Sequence, residues 1–358
     1  VYTIHITRSV YMVEKLTLPD GSAIPQMDGV MYLSENTGDS IAITVNGYGA
    51  KLDVNGTPVE SNEQFLYKSE FDANNECKIV ITGTHTNGVE KESREYIVKK
   101  LTPDDSFSGT SRKMSWSLKN GTLTISGTGN VSSYKPGWDS LKTCITSVVV
   151  EEGITGINSG LFNANYTALK DVTLPQGLTK CSSAFRECPL LENVTTGSLG
   201  SSMFADCPNL KNVTLQSVEE IPSSAFKNCT SLTSITLPEG VKTIGDYAFE
   251  GCTSLAEVNL PSTLENLSGY IFKDCTSLRK VTVAGDHYVI KDEIVYTADM
   301  KTLVFCPPTY RGAVNIPDGV TAIGDGAFFY CSKVTDITFP ESLTTIGADA
   351  FCGAASLK

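Results

Sequence analysis

The stretch IGDYAFEGCTSL at residues 244–255, followed by VNLP at 258–261, recurs along the second half of the chain. Each unit has one phenylalanine anchor, and successive anchors are 23, 19, 22, 23, 23, 56 and 23 residues apart. The anchors are Phe162, Phe185, Phe204, Phe226, Phe249, Phe272, Phe328 and Phe351. A fixed period of this length is typical of a repeat array, in which each unit packs on its neighbours and all share one core.

Two different patterns alternate within each unit. Apolar and polar residues alternate along 258–260, which indicates a strand, and Pro261 ends it because proline cannot donate to a ladder. An Ile-Gly pair such as 244–245 marks a turn just before the Phe anchor. We therefore predict coils of a strand, a proline turn, a second short extended piece, a glycine turn, and one or two helical turns that carry the phenylalanine.

A cysteine follows the anchor by three residues in six units, at Cys188, Cys207, Cys229, Cys252, Cys275 and Cys331. A metal site needs close pairs that converge, as in Cys-x-x-Cys, and no such pair occurs among the eleven cysteines. Disulfides between coils would require neighbouring Cα atoms about 4.4–6.8 Å apart. We interpret the column as small buried hydrophobes beside the phenylalanines. No metal and no cofactor are predicted.

The 56-residue step contains one ordinary unit and an insertion of 33 residues, at about 284–316. This insertion carries Tyr288, Tyr296 and Tyr310, which we include among the candidate binding residues because loops added to repeat arrays often supply recognition. The alternative is a hairpin that its own aromatic side chains pack against the array.

The phenylalanine anchors also predict which strand side chains face solvent. One predicted column is nearly all threonine, and the other is mixed polar. The candidate binding residues in the first column are Thr173, Thr195, Thr214, Thr236, Asn259, Thr282 and Thr338, and those in the second are Glu257, Lys280 and Asp336. The alternative is that threonine occurs there only because it suits exposed strand positions and packs well against itself.

The first 102 residues lack the repeat and consist of short strand-like runs separated by Gly or Asn turns. They predict a small antiparallel β-sandwich, and residues 1–9 resemble the last strand of a preceding domain of the same kind. Residues 103–110 are predicted to be a linker. Residues 111–150, with a hairpin turn at Asn120-Gly121, are predicted to cap the array, which then occupies 151–358.

Charge and composition exclude several classes of protein. The formal net charge is −12, and no cluster of Lys and Arg is present, which argues against nucleic-acid binding. No apolar run approaches the roughly 18 residues of a membrane helix, so no transmembrane segment is predicted. The chain starts at Val1 in a strand-like run and stops within a repeat, so we expect a fragment of a longer protein.

The units at 244–261 and their equivalents resemble the BspA-like branch of bacterial leucine-rich repeats. The run WSLKNGTLTISGTG at 116–129 is similar to the usual lead-in of that family, and 294–305 is similar to a hairpin found between its repeats. Residues 1–102 resemble, more weakly, Ig-like or cadherin-like sandwiches. The resemblance implies a mixed β fold with short helices, in which a leucine-rich-repeat solenoid of about 23-residue coils follows an N-terminal antiparallel β-sandwich.

The resemblance further implies a secreted or surface-attached protein of host-associated bacteria that acts in adhesion or partner binding. The expected partner is a protein or a glycan, including host extracellular matrix. The three histidines, His5, His85 and His287, form no catalytic motif. A spacer that holds another domain off the cell surface is the second hypothesis. A carbohydrate-active enzyme that uses carboxylates such as Glu257 and Asp336 is the third, and we expect no enzyme.

Overall fold

A computed structural model describes residues 13–17, 19, 24, 26–27, 30–33, 40–46, 50–84, 88, 91–102, 105–111, 113–131 and 137–358. The chain divides into two compact units, Val1–Ser106 with Trp138–Cys144, and Phe107–Gly137 with Ile145–Lys358. The strand predicted at residues 1–9 lies outside the described residues, and so do His5 and His85.

The first unit contains nine described strands and a short 3₁₀ helix, Asp139–Cys144. The strands are β1 (Val13–Thr17), β2 (Gln26–Met27), β3 (Val30–Leu33), β4 (Ser40–Asn46), β5 (Lys51–Val54), β6 (Thr57–Val59), β7 (Gln64–Lys68), β8 (Glu76–Thr84) and β9 (Lys91–Lys100). They form a three-stranded sheet, β1-β4-β7, and a six-stranded sheet, β2-β3-β9-β8-β5-β6.

Side chains of both sheets belong to one buried cluster, which includes Ile43 of β4, Ile79 of β8 and Val98 of β9. The sequence predicts strands at 31–33, 41–45, 65–71, 78–82 and 95–98, and the structure has a strand in each of these ranges, although β7 ends at Lys68. The hairpin β5–β6 was not predicted. Pairing is antiparallel except between β3 and β9, which are parallel. Apolar alternation predicts that a strand exists but not its direction. The Ig-like or cadherin-like assignment stays a prediction.

The second unit is built almost entirely from short strands. They are β10 (Ser106–Ser111), β11 (Met114–Lys119), β12 (Thr122–Gly127), β13 (Gly129–Val131), β14 (Ser147–Val150), β15 (Ile154–Ile157), β16 (Asp171–Leu174), β17 (Asn193–Thr196), β18 (Asn212–Leu215), β19 (Glu220–Ile221), β20 (Ser234–Thr236), β21 (Thr243–Ile244), β22 (Glu257–Leu260), β23 (Lys280–Val283), β24 (Tyr288–Lys291), β25 (Ile294–Thr297), β26 (Thr302–Phe305), β27 (Gly312–Asn315), β28 (Ala322–Ile323), β29 (Val334–Thr338) and β30 (Thr345–Ile346).

The first strand of each coil is here called the main strand, and main strands of successive coils pair in parallel within three groups. One sheet has the order β10-β11-β12-β14-β16-β17-β18 and is parallel from β12 onward. Further main strands pair as β20-β22-β23 and as β27-β29. The predicted hairpin turn at Asn120-Gly121 is confirmed, since β11 and β12 are antiparallel and both turn residues have positive φ.

Strand β10 falls in the predicted linker at 103–110, and it lies beside β11 at the start of the seven-stranded sheet. Residues 103 and 104 lie outside the described residues. From Ser106 onward the segment predicted as a linker is therefore an edge strand of this sheet. Serine, glycine and threonine made this segment resemble a loop, but pairing with β11 orders it as an edge strand.

The phenylalanine anchors form a ladder through the core of the array. Ring centroids of successive anchors from Phe162 to Phe272 are 4.8–5.9 Å apart, and all five pairs are stacked. The insertion supplies the next rung, because the Phe305 ring lies 5.4 Å from that of Phe272, tilted by 53°. The predicted core is confirmed, and Phe305 is an additional member.

The segments around the anchors are turns, not the predicted helical turns. Phe226 donates its amide proton to Ala248 O of the next coil at 2.9 Å, and Asn228 donates to Glu250 O at 2.7 Å. Ser224 and Asn228, on either side of Phe226, have φ values of 57° and 58°. A helix cannot continue through left-handed residues, and these amides already bond to the neighbouring coil instead of the preceding turn.

Candidate binding surface

The predicted threonine column follows the register of the main strands. Thr173, Thr195 and Thr214 are paired in one group. Thr236, Asn259 and Thr282 are paired in a second group, and Thr338 is paired with Asn315 in a third. Most of these side chains are exposed, and Thr195 and Thr282 are half-buried. The structure therefore brings the column together on the outer face in three segments.

The mixed polar column runs beside the threonines. In its first segment Asn212 donates to Asn193 Oδ1, and Asn193 donates to Asp171 Oδ1, both at 2.7 Å. In the second segment Glu257 pairs in register with Ser234 and with Lys280. Asn193 is hydrogen-bonded to the side chains at the same position of both neighbouring strands. The polar side chains of the first segment are therefore held in fixed positions on the surface.

The three candidate tyrosines of the insertion are less exposed than most side chains of the two polar columns. Strands β24, β25 and β26 form an antiparallel meander, as predicted for 294–305. Tyr296 is 2% exposed, and Tyr288 is 9% exposed and donates to Glu265 O at 2.8 Å. Tyr310 is half-buried. Tyr288 and Tyr296 therefore pack the hairpin against the array, which is the alternative that the sequence left open, and they offer no contact surface.

The row of main strands is interrupted between β18 and β20 and again at the insertion. Within residues 137–358, all of which are described, β23 pairs with β22 and β27 pairs with β29, but β23 and β27 do not pair. A cavity of about 360 Å³ lies at this interruption, lined by Glu257, Arg279, Lys280, Val281, Ile290 and Glu293. Sequence analysis identified Glu257 and Lys280 but missed the other four. The one feature of the sequence that indicates an irregularity at this place is the 56-residue step between Phe272 and Phe328.

Charged side chains dominate the rim of this cavity. The nearest nitrogen–oxygen distances from Glu257 are 3.9 Å to Arg279 and 3.8 Å to Lys280. These distances exceed hydrogen-bonding range, and all three side chains are at least half exposed. The rim charges are therefore held only loosely by one another.

A second polar cluster lies at the phenylalanine turns, away from the main strands. Glu250 accepts from Lys227 and Lys273, each at 2.7 Å. Burial alone would raise the pKa of Glu250, but the hydrogen bonds from the two lysines outweigh burial and leave the pKa lowered. The Lys273 ammonium also lies 5.2 Å from the Tyr330 ring centroid. Its charge is satisfied within the protein, so we interpret this cluster as a stabilising contact between coils.

The cysteine column belongs to the buried core. All six column thiols are buried, as predicted, and four donate to the main-chain carbonyl of the anchor phenylalanine in the preceding coil at 3.1–3.2 Å. Burial raises the pKa of Cys252 to about 12, so its thiolate is scarce at neutral pH. The spacing of these thiols predicts their packing role but gives no sign of their hydrogen bond to the neighbouring coil.

The other chemical groups are dispersed. His287 is exposed on the loop before β24. Glu257 and Asp336, the carboxylates considered for an enzyme, lie on β22 and β29 in different sheets. In the part of the chain that the structure describes, no three His, Cys, Asp or Glu side chains are placed to hold a metal ion. No helix among the described residues is both long and apolar enough to cross a bilayer.

The second unit is thus a parallel β-solenoid whose coils stack on a phenylalanine ladder. Residues 140–216, 197–311 and 311–358 match the BspA type leucine rich repeat region, in six copies. These ranges cover more than half of the chain, and the protein belongs to this family. No catalytic function is indicated for it.

Among solved structures, the chain is similar to a leucine-rich repeat protein from Eubacterium ventriosum, with 24% identity, a TM-score of 0.49 and 70% of this chain covered. The chain spans 64% of the length of that protein. It is also similar to a leucine rich cell surface protein from Faecalibacterium prausnitzii, with 22% identity, a TM-score of 0.45, and 72% and 76% of the two chains covered. No curated protein matches the chain significantly.

Proposed function

We propose that this protein is a secreted or cell-surface binding module whose outer sheet face recognises a protein or glycan partner, including components of host extracellular matrix. The observation that carries the proposal is the pair of exposed polar columns, held in register by parallel main strands. Recognition surfaces built on rigid strands lose little conformational freedom when they bind. In this proposal residues 111–150 close the start of the array, which is supported by pairing of β12 with β14.

A matched pair of triple variants tests which face binds. Thr173→Arg, Thr214→Arg and Thr236→Arg together place three bulky charges on the exposed threonine column. The control is Thr230→Arg, Thr253→Arg and Thr276→Arg, which adds the same charge at exposed threonines four residues after each anchor. Both proteins are compared with the wild type on a glycan array and a panel of extracellular-matrix proteins.

We expect the wild type and the control to bind the same partner, and the column variant to lose at least tenfold in affinity. Equal losses in the two variants would contradict the assignment of the outer face. Absence of any binder for the folded wild type would instead favour the spacer hypothesis.

A further inference from the structure

Strand β23 has an unpaired edge. Lys280 donates to Ala256 O at 3.3 Å and Ala284 donates to Leu260 O at 3.0 Å, so both amides point toward the preceding coil. Successive residues of a strand direct their N–H and C=O groups to opposite edges, so those of Val281 and Val283 point away from it. Within residues 137–358 no backbone hydrogen bond reaches Val281 or Val283 from that side.

The cavity beside this edge has an apolar base. Val281 is 8% exposed, whereas Val258, its partner on β22, is 1% exposed. Ile290 of β24 is 37% exposed and lines the same cavity. An aliphatic side chain that entered here would cover both residues. The volume of about 360 Å³ is at the small end of ligand sites, which limits the buried part of an occupant to a few residues.

The charges at the sheet side of the cavity are unbalanced. Arg279 and Lys280 are 71% and 60% exposed, and among the described residues Glu257, at 3.9 and 3.8 Å, is their only ion-pair partner. Glu293 of the insertion lines the same cavity without forming an ion pair with either of them. Glu257 and Lys280 are in register, so the column continues with opposite charges up to the free edge. In a chain of net charge −12, two adjacent cations at this edge favour an acidic side chain at the next position of the column.

We propose that the edge of β23 binds an extended segment of a partner protein by strand addition. The segment pairs with the backbone of Val281 and Val283, places an aliphatic side chain against Val281 and Ile290, and directs an acidic side chain toward Arg279 and Lys280. The proposal rests on the binding role proposed above and assigns it a partner class and a site separate from the threonine column.

The test uses synthetic acetylated hexapeptides that alternate threonine with an aliphatic residue and carry either aspartate or lysine at the third position. Binding is measured by calorimetry on the full chain. We expect the aspartate peptides to bind the wild type, and Lys280→Glu to weaken them at least tenfold and to improve the lysine peptides. The matched control is Lys170→Glu, an exposed lysine that directly precedes strand β16, which pairs with β14 on one side and with β17 on the other.

A second variant tests the backbone contribution. Val283→Pro removes an amide at the free edge and leaves intact the amides of Lys280, Thr282 and Ala284 that face β22, which an edge strand tolerates. It should abolish binding of both peptide series. If Val283→Pro does not fold by circular dichroism, hydrogen exchange of the Val281 and Val283 amides in the wild type replaces it, and bound peptide should slow their exchange.

Equal effects of Lys280→Glu and Lys170→Glu, or protection of amides outside β23, would overturn the strand-addition site. Failure of every peptide to bind would do the same. If the peptides fail while the threonine-column variant still loses its partner, the binding role stands and only this site is wrong. If a glycan from the array slows exchange at Val281, the site is correct but the proposed occupant is wrong.

Discussion

The regular coils from Phe185 to Phe272 and the interrupted coil at 284–316 solve the same packing problem in different ways. In the regular coils each side chain meets the residue at the same phase of the next coil, as the stacked rings and the asparagine pairs show. In the interrupted coil a hairpin buries Tyr296, and Phe305 continues the ladder at a tilt. The core survives the interruption, whereas the row of main strands does not.

Tyr270 shows how the array closes around the interruption at its turns. Its ring packs 5.1 Å from that of Phe329, and its hydroxyl donates to Ala348 O at 2.9 Å. These contacts join Tyr270, which precedes the insertion in the sequence, to residues that follow it. The difference between the two regions teaches that side-chain packing bridges the irregular coil, whereas pairing of the main strands stops there, as it also does between β18 and β20.

The largest loss of stability is expected when a phenylalanine of the ladder is replaced, and it should be larger in a regular coil than at the insertion. Phe226 is fully buried between two rings, at 5.9 and 5.6 Å, whereas Phe305 stacks on Phe272 at a tilt. Phe226→Ala should lower the free energy of unfolding by about 3–5 kcal/mol. Phe305→Ala should cost roughly 1 kcal/mol less, since it loses one ring pair instead of two. Urea unfolding of both variants measures the difference, and an equal or larger cost at Phe305 would contradict the comparison.

A matched pair of glycines tests the closure around the insertion. Gly326 has φ +61°, and a Cβ there would lie 2.8 Å from the Tyr270 ring, whereas Gly319 has φ +90° with nothing within 4 Å. Both alanine substitutions incur strain of about 1–2 kcal/mol in the left-handed region. Gly326→Ala should cost about 1–3 kcal/mol more because of the clash. Thermal unfolding compares the two, and equal costs would show that the Tyr270 ring simply moves away.

The cysteine column should contribute to stability through burial and its hydrogen bond. Cys252 is fully buried and donates to Phe226 O at 3.1 Å, whereas Cys352 is exposed. Cys252→Ala should cost about 1–2 kcal/mol, and Cys352→Ala should stay within about 0.5 kcal/mol. Denaturant titration of the two variants checks this expectation, and a neutral Cys252→Ala would contradict it.

The same thiol predicts a dependence on pH. Burial raises the pKa of Cys252 from 9.0 to about 12 in the folded protein. The unfolded chain releases the thiol proton first, so this contribution is complete below pH 9 and is lost as the pH rises toward 12. The alkaline loss of stability should be smaller in Cys252→Ala than in the wild type. Identical pH profiles would show that the thiol does not titrate in this window.

The smallest changes in the free energy of unfolding are expected for substitutions on the outer face of the main strands. Asn193 both donates and accepts at 2.7 Å within a regular segment, so Asn193→Ala should cost about 1 kcal/mol. Lys280, 60% exposed at the interruption and 3.8 Å from Glu257, should change stability by less than about 0.5 kcal/mol when replaced by alanine. Chemical unfolding would contradict this order if Lys280→Ala were the more costly change.

The sequence by itself determined the period, the phenylalanine core, the buried cysteine column and the alignment of Thr173 with Thr195 and Thr214. It could do so because, in a repeat array, a residue at one phase meets the same phase of the next coil, so spacing along the chain fixes contacts in space. Only the tertiary structure decided the free edge of β23, the burial of Tyr288 and Tyr296, and turns in place of helices. The edge of β23 and the burial of the tyrosines depend on non-repeated residues, whose neighbours are set by the path of the folded backbone and not by spacing. The turns recur in the regular coils, but they depend on backbone hydrogen bonds to the next coil, which spacing does not show.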